Sequence, residues 1–200
     1  NSWAKSDSDY CMKHLTGLGE CKECPYFNAE GLFCDHTPYE IGPNDHKLMN
    51  SLAKAGLVHA KYRRMITVYV DITAPLYWWK EFDTYKVGTV ANSCSTMHKI
   101  HAKRFELSDF STEHLFPEVR DAFESTIIKA LNECRDLYLG YDGFKHIYGD
   151  HNKKDYWWQM IQLLPSSYNQ RRTVQLNYQV LKNMYFARKA HKLDCWVKFC

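Results

Sequence analysis

Long apolar segments and long runs of like charge are missing from this sequence. No stretch approaches the ~18 apolar residues that a transmembrane helix requires, and the residues after Asn1 lack the basic-then-apolar order of a secretory signal peptide. No five consecutive residues carry the same charge, and the net charge is +3 from 26 basic and 23 acidic residues. These absences predict a cytoplasmic protein with no membrane segment and no dedicated nucleic-acid surface.

Glycine and proline are scarce as well, with 9 and 6 residues among 200. Together with 45% hydrophobic and 24% charged residues, this composition excludes collagen-like, low-complexity and disordered chains. A chain of 200 residues suffices for one substantial domain, whereas two full domains would be cramped. Because the chain starts without Met and stops at Cys200 inside a continuing pattern, we expect that both ends of a longer protein are missing.

Half of the eight cysteines fall in residues 1–43, a segment that lacks hydrophobic periodicity and is predicted to be loop. We interpret it as a Cys-rich insertion or extension in front of one α+β domain at residues 44–200. A Cys-x2-Cys pair can share one tetrahedral Zn²⁺, and a further cysteine flanks this pair at nine intervening residues on each side. The predicted metal ligands are Cys11, Cys21, Cys24 and Cys34. Reduced free thiols, a disulfide or redox pair and an iron-sulfur cluster remain open alternatives.

Hydrophobic periodicity predicts a helix, a strand and a second helix after the Cys-rich segment. Asn44 or Asp45 is a candidate cap for the first helix, and residues 65–72 alternate as a half-buried strand does. Thr73-Ala74-Pro75 has the pattern of a helix N-terminus, with proline in the first turn. The second helix is therefore predicted over residues 76–86, directly after the strand.

The remaining elements are predicted mainly as helices. Residues 87–97 are small and polar without a period, so they are expected to form a loop, and such loops often bind ligands. Apolar residues at helical spacing predict helices within residues 111–139 and over residues 157–164. A last helix is predicted over residues 173–189, where polar residues lie at both ends of an apolar stripe.

Two blocks of the sequence carry motifs in a recognisable order. The first, residues 59–96, has a His, a strand and an Ala-Pro pair that begins a helix. The second consists of Leu164-Pro165, Tyr168, Asn177, Asn183 and Arg188. Together they cover about half of the chain and resemble the flavin-dependent thymidylate synthases, the ThyX family. This resemblance implies an α+β fold with an antiparallel sheet and packed helices, in a homotetramer whose flavin pockets are shared between chains.

The resemblance also implies roles for particular residues. Arg188 would lie against the pyrimidine, where its cation stabilises the negative charge that develops on the uracil. The implied FAD contacts are His59, Asn177, Asn183 and, upstream, Ser6, with Lys86 near the flavin phosphates.

Departures from the family pattern fall on the nucleotide site. The family has Arg-His-Arg and Ser-x-Arg where this sequence has Thr84-Tyr85-Lys86 and Cys94-Ser95-Thr96, and it has Gln where this sequence has Glu81. Because Arg offers a planar fork to anions and hydroxyl groups do not, a nucleotide phosphate would lose most of its usual partners. The residues predicted to line the nucleotide site are Glu81, Thr84, Cys94, Ser95 and Thr96.

Three functions remain open on these grounds. The first is a divergent thymidylate synthase that uses FAD, NADPH and methylenetetrahydrofolate to methylate dUMP. The second is a related flavin enzyme that modifies another pyrimidine nucleotide. The third is a non-catalytic protein that binds a nucleotide or flavin, or serves as a scaffold, and retains the fold. The matched His59, Asn177, Asn183 and Arg188 favour the first two, whereas the missing arginines favour the last two.

Overall fold

The computed structural model describes residues 5–10, 39–93 and 95–200. Its residues group into two compact units, one up to Arg63 and one from Arg64 to Cys200. The predicted domain boundary at residue 43 depends on the Cys-rich segment. Most of that segment, including all four predicted metal ligands, lies outside the described residues, so the boundary and the metal site stay predictions.

In the first unit, a two-stranded ladder precedes one helix. Strand β1 (Asp9–Tyr10) pairs antiparallel with β2 (Tyr39–Glu40), and helix α1 follows at Pro43–Lys54. The predicted cap is wrong, because neither Asn44 nor Asp45 caps this helix with its own side chain. Instead, the Asp7 carboxylate accepts the backbone N–H groups of both residues, at 2.8 and 3.0 Å. A residue distant in sequence satisfies the free N–H groups of the first turn.

The second unit is built on a three-stranded antiparallel sheet. Its strands are β3 (Thr67–Pro75), β4 (Thr89–Ser93) and β5 (Asn169–Asn177), in the order β3-β5-β4. Strand β4 lies in the segment that was predicted to be a loop. Its residues are small and largely exposed, so pairing with β5 rather than hydrophobic alternation determines its structure.

Helices surround this sheet and form a second layer. They are α2 (Leu76–Phe82), α3 (Thr96–Lys99), α4 (Pro117–Phe123), α5 (Lys129–Leu139), α6 (Lys145–Tyr148), α7 (Lys153–Leu163), α8 (Tyr178–Arg188) and α9 (Asp194–Phe199). A π-helical turn at Glu124–Ile128 joins α4 to α5. Three 3-10 turns lie at Lys61–Arg64, Leu107–Asp109 and Asp142–Phe144.

Two helix predictions need correction. The helix predicted over residues 76–86 ends at Phe82. The helix predicted over residues 173–189 begins at Tyr178, because Thr173–Asn177 completes β5. The apolar residues Val174 and Leu176 are both fully buried, and their spacing of two fits the buried face of a strand.

The unit has two apolar cores. One lies between the sheet and helices α2, α8 and α9, and it contains Ala74, Trp78, Trp79, Phe82, Val174, Leu176, Val180, Met184 and Trp196. The other lies among the remaining helices, and it contains Ile100, Phe105, Phe110, Ile128, Leu131, Cys134 and Met160. The aromatic residues Trp78, Trp79 and Phe82 of α2 therefore belong to the core, and Tyr77 packs partly buried against it.

Mixed helix and antiparallel sheet confirm the predicted α+β class. Within the three described ranges, no helix has both the length and the hydrophobicity that crossing a membrane requires.

Candidate functional site

Helix α8 and its N-cap carry three of the polar residues that the sequence analysis selects. Asn177 lies at its N-cap, Asn183 in its middle and Arg188 at its last residue. The helix is anchored between them by Val180 and Met184, which are buried against the sheet. Because this buried face fixes the rotation of the helix, the three polar side chains have defined directions.

At the C-terminal end of α8, Arg188 lies beside Glu81 of α2. Nη1 of Arg188 donates to Oε2 of Glu81 at 2.7 Å, and Nε donates to the Tyr85 hydroxyl at 3.0 Å. The side chains of Arg188 and Glu81 are 19% and 34% exposed, so this ion pair is shielded from water on most sides. None of these bonds uses Nη2 of Arg188 or Oε1 of Glu81.

The C-terminal segment completes this cluster. The Trp196 indole N–H donates to Oε2 of Glu81 at 3.0 Å, and the guanidinium carbon of Arg188 lies 4.9 Å from the Trp196 ring centroid. His191 faces the pair through Nε2, at 2.8 Å from Nη1 of Arg188 and 3.3 Å from Oε2 of Glu81. We name Glu81, Tyr85, Arg188, His191 and Trp196 the arginine cluster.

At the other end of α8, Asn177 caps the helix. Its Oδ1 accepts the backbone N–H groups of Gln179 and Val180, both at 3.1 Å. Gly88 approaches it closely: a Cβ at Gly88 would lie 2.9 Å from Asn177 Nδ2 and 3.2 Å from Val180 Cγ2, and its φ is +81°. Only glycine fits this backbone position without strain.

A cavity of about 230 Å³ lies beside Gly88 and Asn177. Its lining includes Arg64, Gln175 and Thr67. Ligand pockets in proteins usually measure roughly 300–1,000 Å³. This cavity can therefore receive part of a large cofactor, but it does not enclose a whole one.

Asn183 lies one and a half turns along the helix from the cap. Its Oδ1 accepts a hydrogen bond from Nε2 of Gln179 at 2.9 Å. Gln179 is only 7% exposed, so this bond satisfies a buried amide. Sequence reasoning missed Gln179, although its position four residues before Asn183 is the spacing at which helical side chains meet.

The predicted nucleotide-lining residues are distributed over several structural roles. The Thr84 hydroxyl donates to the Glu81 carbonyl at 2.7 Å, so it closes the end of α2. Ser95 caps α3 by accepting the His98 N–H at 3.3 Å, and Thr96 Oγ1 accepts from Gln170 Nε2 at 2.9 Å.

The remaining predicted site residues are Lys86, Ser6, His59 and Cys94. Lys86 is exposed in the turn after α2. Ser6 and His59 belong to the first unit. There the Ser6 hydroxyl donates to the Asp45 carboxylate at 2.6 Å, while the His59 side chain is exposed. Cys94 lies outside the described residues.

Arg172 is a further cation in this region, linked to Thr96 through Gln170, and the sequence analysis did not select it. It lies on β5, where Nη1 donates to Oδ1 of Asp83 and Nε to Oε1 of Gln170, both at 2.8 Å. Its guanidinium also stacks over Trp79 at 4.3 Å. Trp196 and His191 were likewise missed, although His191 follows Arg188 by one helical turn.

No family model matches the chain, and no curated protein matches it. Two solved structures of flavin-dependent thymidylate synthase ThyX from Helicobacter pylori, each with FAD and dUMP, are similar to it. One has a TM-score of 0.54 at 14% identity, over 92% of this chain and 83% of that chain. The chain has the fold of ThyX. The second has a TM-score of 0.52 at 13% identity, over 79% of this chain and 74% of that chain.

The ThyX fold confirms the fold that the sequence motifs imply. At these identities the likeness establishes the architecture, and FAD and dUMP are ligands of the H. pylori proteins. The roles of particular site residues stay predictions, and the arguments for them come from the arrangement of side chains in this chain.

Proposed function

We propose that this chain is a divergent flavin-dependent thymidylate synthase, which converts dUMP to dTMP with methylenetetrahydrofolate as one-carbon donor and NADPH as reductant. The observation that carries the proposal is the arginine cluster at the end of α8, on a chain with the ThyX fold. A cytoplasmic homotetramer with shared flavin pockets remains part of the proposal.

The free atoms of the cluster match the polar edge of a pyrimidine. Nη2 of Arg188 offers two N–H donors, and Oε1 of Glu81 offers an acceptor beside them. The uracil ring presents a carbonyl oxygen next to an N–H group, which is the complementary pattern. Arg188 would bind the carbonyl and stabilise negative charge on the ring, while Glu81 would accept the ring N–H and orient the base.

Shielding strengthens these interactions. Trp196 and Tyr85 cover two sides of the guanidinium, so water has limited access to the ion pair. Hydrogen bonds and charges interact more strongly where water is excluded. The cluster therefore holds both groups in place before the nucleotide arrives.

The residues around Gly88 fit one part of a flavin dinucleotide. Gly88 packs closely against Asn177 and Val180, and the cavity beside it is lined by residues that can hydrogen-bond a cofactor, among them Arg64, Gln175 and Asn177. Arg64 would pair with a phosphate, and Asn177 and Gln175 would hydrogen-bond polar groups of the cofactor. Bound FAD would supply the hydride chemistry. Because the cavity is small, the rest of FAD would lie on surface that a second chain completes.

One observation favours a non-catalytic alternative, in which the fold binds a nucleotide or flavin without turnover. Glu81 already neutralises Arg188, and a neutralised cation stabilises developing negative charge less than a free one. In this alternative the arginine cluster is a structural link between α2, α8 and the C-terminal segment. A related flavin enzyme acting on another pyrimidine would need the same unused atoms, Nη2 of Arg188 and Oε1 of Glu81.

Binding of FAD tests the proposal first. Purified protein titrated with FAD should show perturbed flavin absorbance and saturate at one FAD per chain. Gln175→Ala, which removes an amide at the cavity, should weaken binding by about 10-fold, which corresponds to ~1.4 kcal/mol for one good hydrogen bond. Asn50→Ala, an exposed asparagine of α1, serves as the matched control and should bind as the parent does. Failure of the parent protein to bind FAD at any concentration would exclude both flavin-enzyme functions.

A further inference from the structure

A second group of polar side chains lies where the loop before α4 meets the first turn of α9. Glu113, Asp194 and Cys195 each place a possible metal-ligating atom within 4.8 Å of the other two. Nε2 of His114 lies 3.2 Å from Oδ2 of Asp194. Two carboxylates and one thiol thus converge from segments about 80 residues apart in sequence, and one imidazole lies beside Asp194.

Hydrogen bonds from neighbouring residues orient the Glu113 carboxylate. Ser111 donates its hydroxyl to Oε2 of Glu113 at 2.9 Å, and the Tyr77 hydroxyl lies 2.8 Å from the same Ser111 oxygen. The Ser111 backbone N–H donates to the Ser167 carbonyl at 2.8 Å. Oriented carboxylates of this kind are typical of the outer shell around metal ligands.

The negative charge of the Glu113 and Asp194 carboxylates favours binding of a cation between them. Hydrogen bonds from Lys198 and, less strongly, from His114 lower the pKa of Asp194 to about 2. The pKa of Glu113 is lowered too, chiefly by a backbone N–H and also by Ser111. Carboxylates are ionised at neutral pH even at their ordinary pKa, so Glu113 and Asp194 both carry negative charge. Lys198 Nζ, 2.9 Å from Oδ2 of Asp194, is the cation that now balances them.

We propose that Glu113, Asp194 and Cys195 bind a divalent transition metal, with Zn²⁺ as the preferred ion, and that His114, which already contacts Asp194, turns in as the fourth ligand. One sulfur, one nitrogen and two oxygen donors make up a four-ligand set of the type that Zn²⁺ accepts, whereas Ca²⁺ and Mg²⁺ select oxygen alone. Zn²⁺ bonds of about 2.0–2.3 Å require the ligand atoms to close by roughly 1 Å. On binding, the Cys195 thiol loses its proton to solvent and the ammonium of Lys198 moves away from Asp194.

The site would fix the C-terminal segment to the body of the unit. Cys195 directly precedes Trp196, and Trp196 is a member of the arginine cluster. A metal joining α9 to the loop at Glu113 would therefore stabilise the position of the indole that covers Arg188. This role needs neither FAD nor turnover, so it stands apart from the proposed enzyme activity.

Cobalt(II) tests the site, because a cysteine thiolate bound to Co²⁺ gives a near-ultraviolet charge-transfer band. The full chain, freed of metal with a chelator and kept reduced, is titrated with Co²⁺ and then with Zn²⁺ in competition. Because other cysteines of the chain can also bind Co²⁺, each variant is compared with the parent protein in its amount of thiolate-bound Co²⁺. Cys195→Ser should lose one equivalent of thiolate-bound Co²⁺, whereas Cys200→Ser, which removes an exposed thiol of the same segment, should lose none.

Three further variants make the test decisive. His114→Gln and Glu113→Gln change exposed side chains and should weaken Co²⁺ binding by at least about 10-fold. Lys198→Gln removes the competing cation and should tighten it. Equal Co²⁺ content and affinity in Cys195→Ser and the parent protein would overturn the proposal. If Cys195→Ser does not fold, unchanged affinity in both His114→Gln and Glu113→Gln overturns it equally.

Discussion

Substitution of Trp196 separates its packing from its hydrogen bond. The side chain is completely buried, and its ring lies 4.6 Å from that of Trp78 and 6.3 Å from that of Phe82. It also donates to Glu81 and stacks on Arg188. Trp196→Ala removes all of these contacts, whereas Trp196→Phe keeps an aromatic ring and removes the N–H donor.

The two variants should differ clearly in the free energy of unfolding. Truncation of a buried tryptophan to alanine costs about 3–5 kcal/mol, because apolar contacts are lost and a cavity remains. Trp196→Phe should cost about 1–2 kcal/mol, because Glu81 loses one donor but keeps its bond to Arg188. The order of stability is therefore parent, Trp196→Phe, Trp196→Ala.

Urea unfolding followed by far-ultraviolet circular dichroism measures these differences without depending on tryptophan fluorescence. Trp158→Phe is the control, since Trp158 is 40% exposed and its replacement should change stability by no more than about 0.5 kcal/mol. A Trp196→Ala protein as stable as the Trp158→Phe control would refute the assignment of Trp196 to the core. Equal losses for Trp196→Phe and Trp196→Ala would refute the role of the ring packing.

Three other predictions concern α8, its neighbouring turn and the start of α9. Asn177→Ala should lower the free energy of unfolding by about 1 kcal/mol, because two N–H groups of α8 lose their cap, and urea unfolding measures this loss. Gly88→Ala should cost more than about 1 kcal/mol in the same assay and should also weaken FAD binding, because φ is +81° and the new Cβ would meet Asn177. The pKa of Asp194 is about 2 in the folded chain, below its ordinary value of 3.8, so its contribution to stability is present above pH 3.8 and lost as pH falls through 2. Melting temperatures across this window should fall more steeply for the parent protein than for Asp194→Asn.

Each of these three predictions has an outcome that would contradict it. A fully stable Asn177→Ala protein would show that its side chain does not cap α8. A stable Gly88→Ala protein would show that the turn does not need a left-handed residue. Parallel acid melting curves for the parent and Asp194→Asn would show that Lys198 and His114 do not hold this carboxylate in its ionised form.

Sequence reasoning succeeds where local signals and burial agree. The predicted strand and the helix after Ala74-Pro75 combine regular periodicity with a recognisable boundary, and both are present. The strand runs over Thr67–Pro75, however, so Thr73 and Ala74 belong to it and not to a helix N-terminus. Strand β4 has no such signal, because an edge strand of small exposed residues is determined by its partner β5. Residues 173–177 satisfy both a helical and an alternating pattern. Pairing with β3 and β4, which are distant in sequence, decides between them.

The same limit applies to the candidate site. The family resemblance selected Asn177, Asn183 and Arg188 as candidates, and local helix geometry is enough to place all three on α8 or at its N-cap. Trp196 and Gly88 come from other segments, and only the folded chain shows that they contact α8 residues. The metal-ligating group at Glu113 and Cys195 likewise depends on tertiary structure, since no spacing motif links residues so far apart.

Single-turnover oxidation of the flavin tests the proposed function most directly. Protein carrying FAD is reduced under anaerobic conditions and mixed with dUMP and methylenetetrahydrofolate together, and with each alone. The proposed thymidylate synthase should reoxidise its flavin only with both compounds and form one dTMP per reduced flavin. A bound flavin that stays reduced, with no dTMP formed, would contradict the proposed activity and favour the non-catalytic alternative.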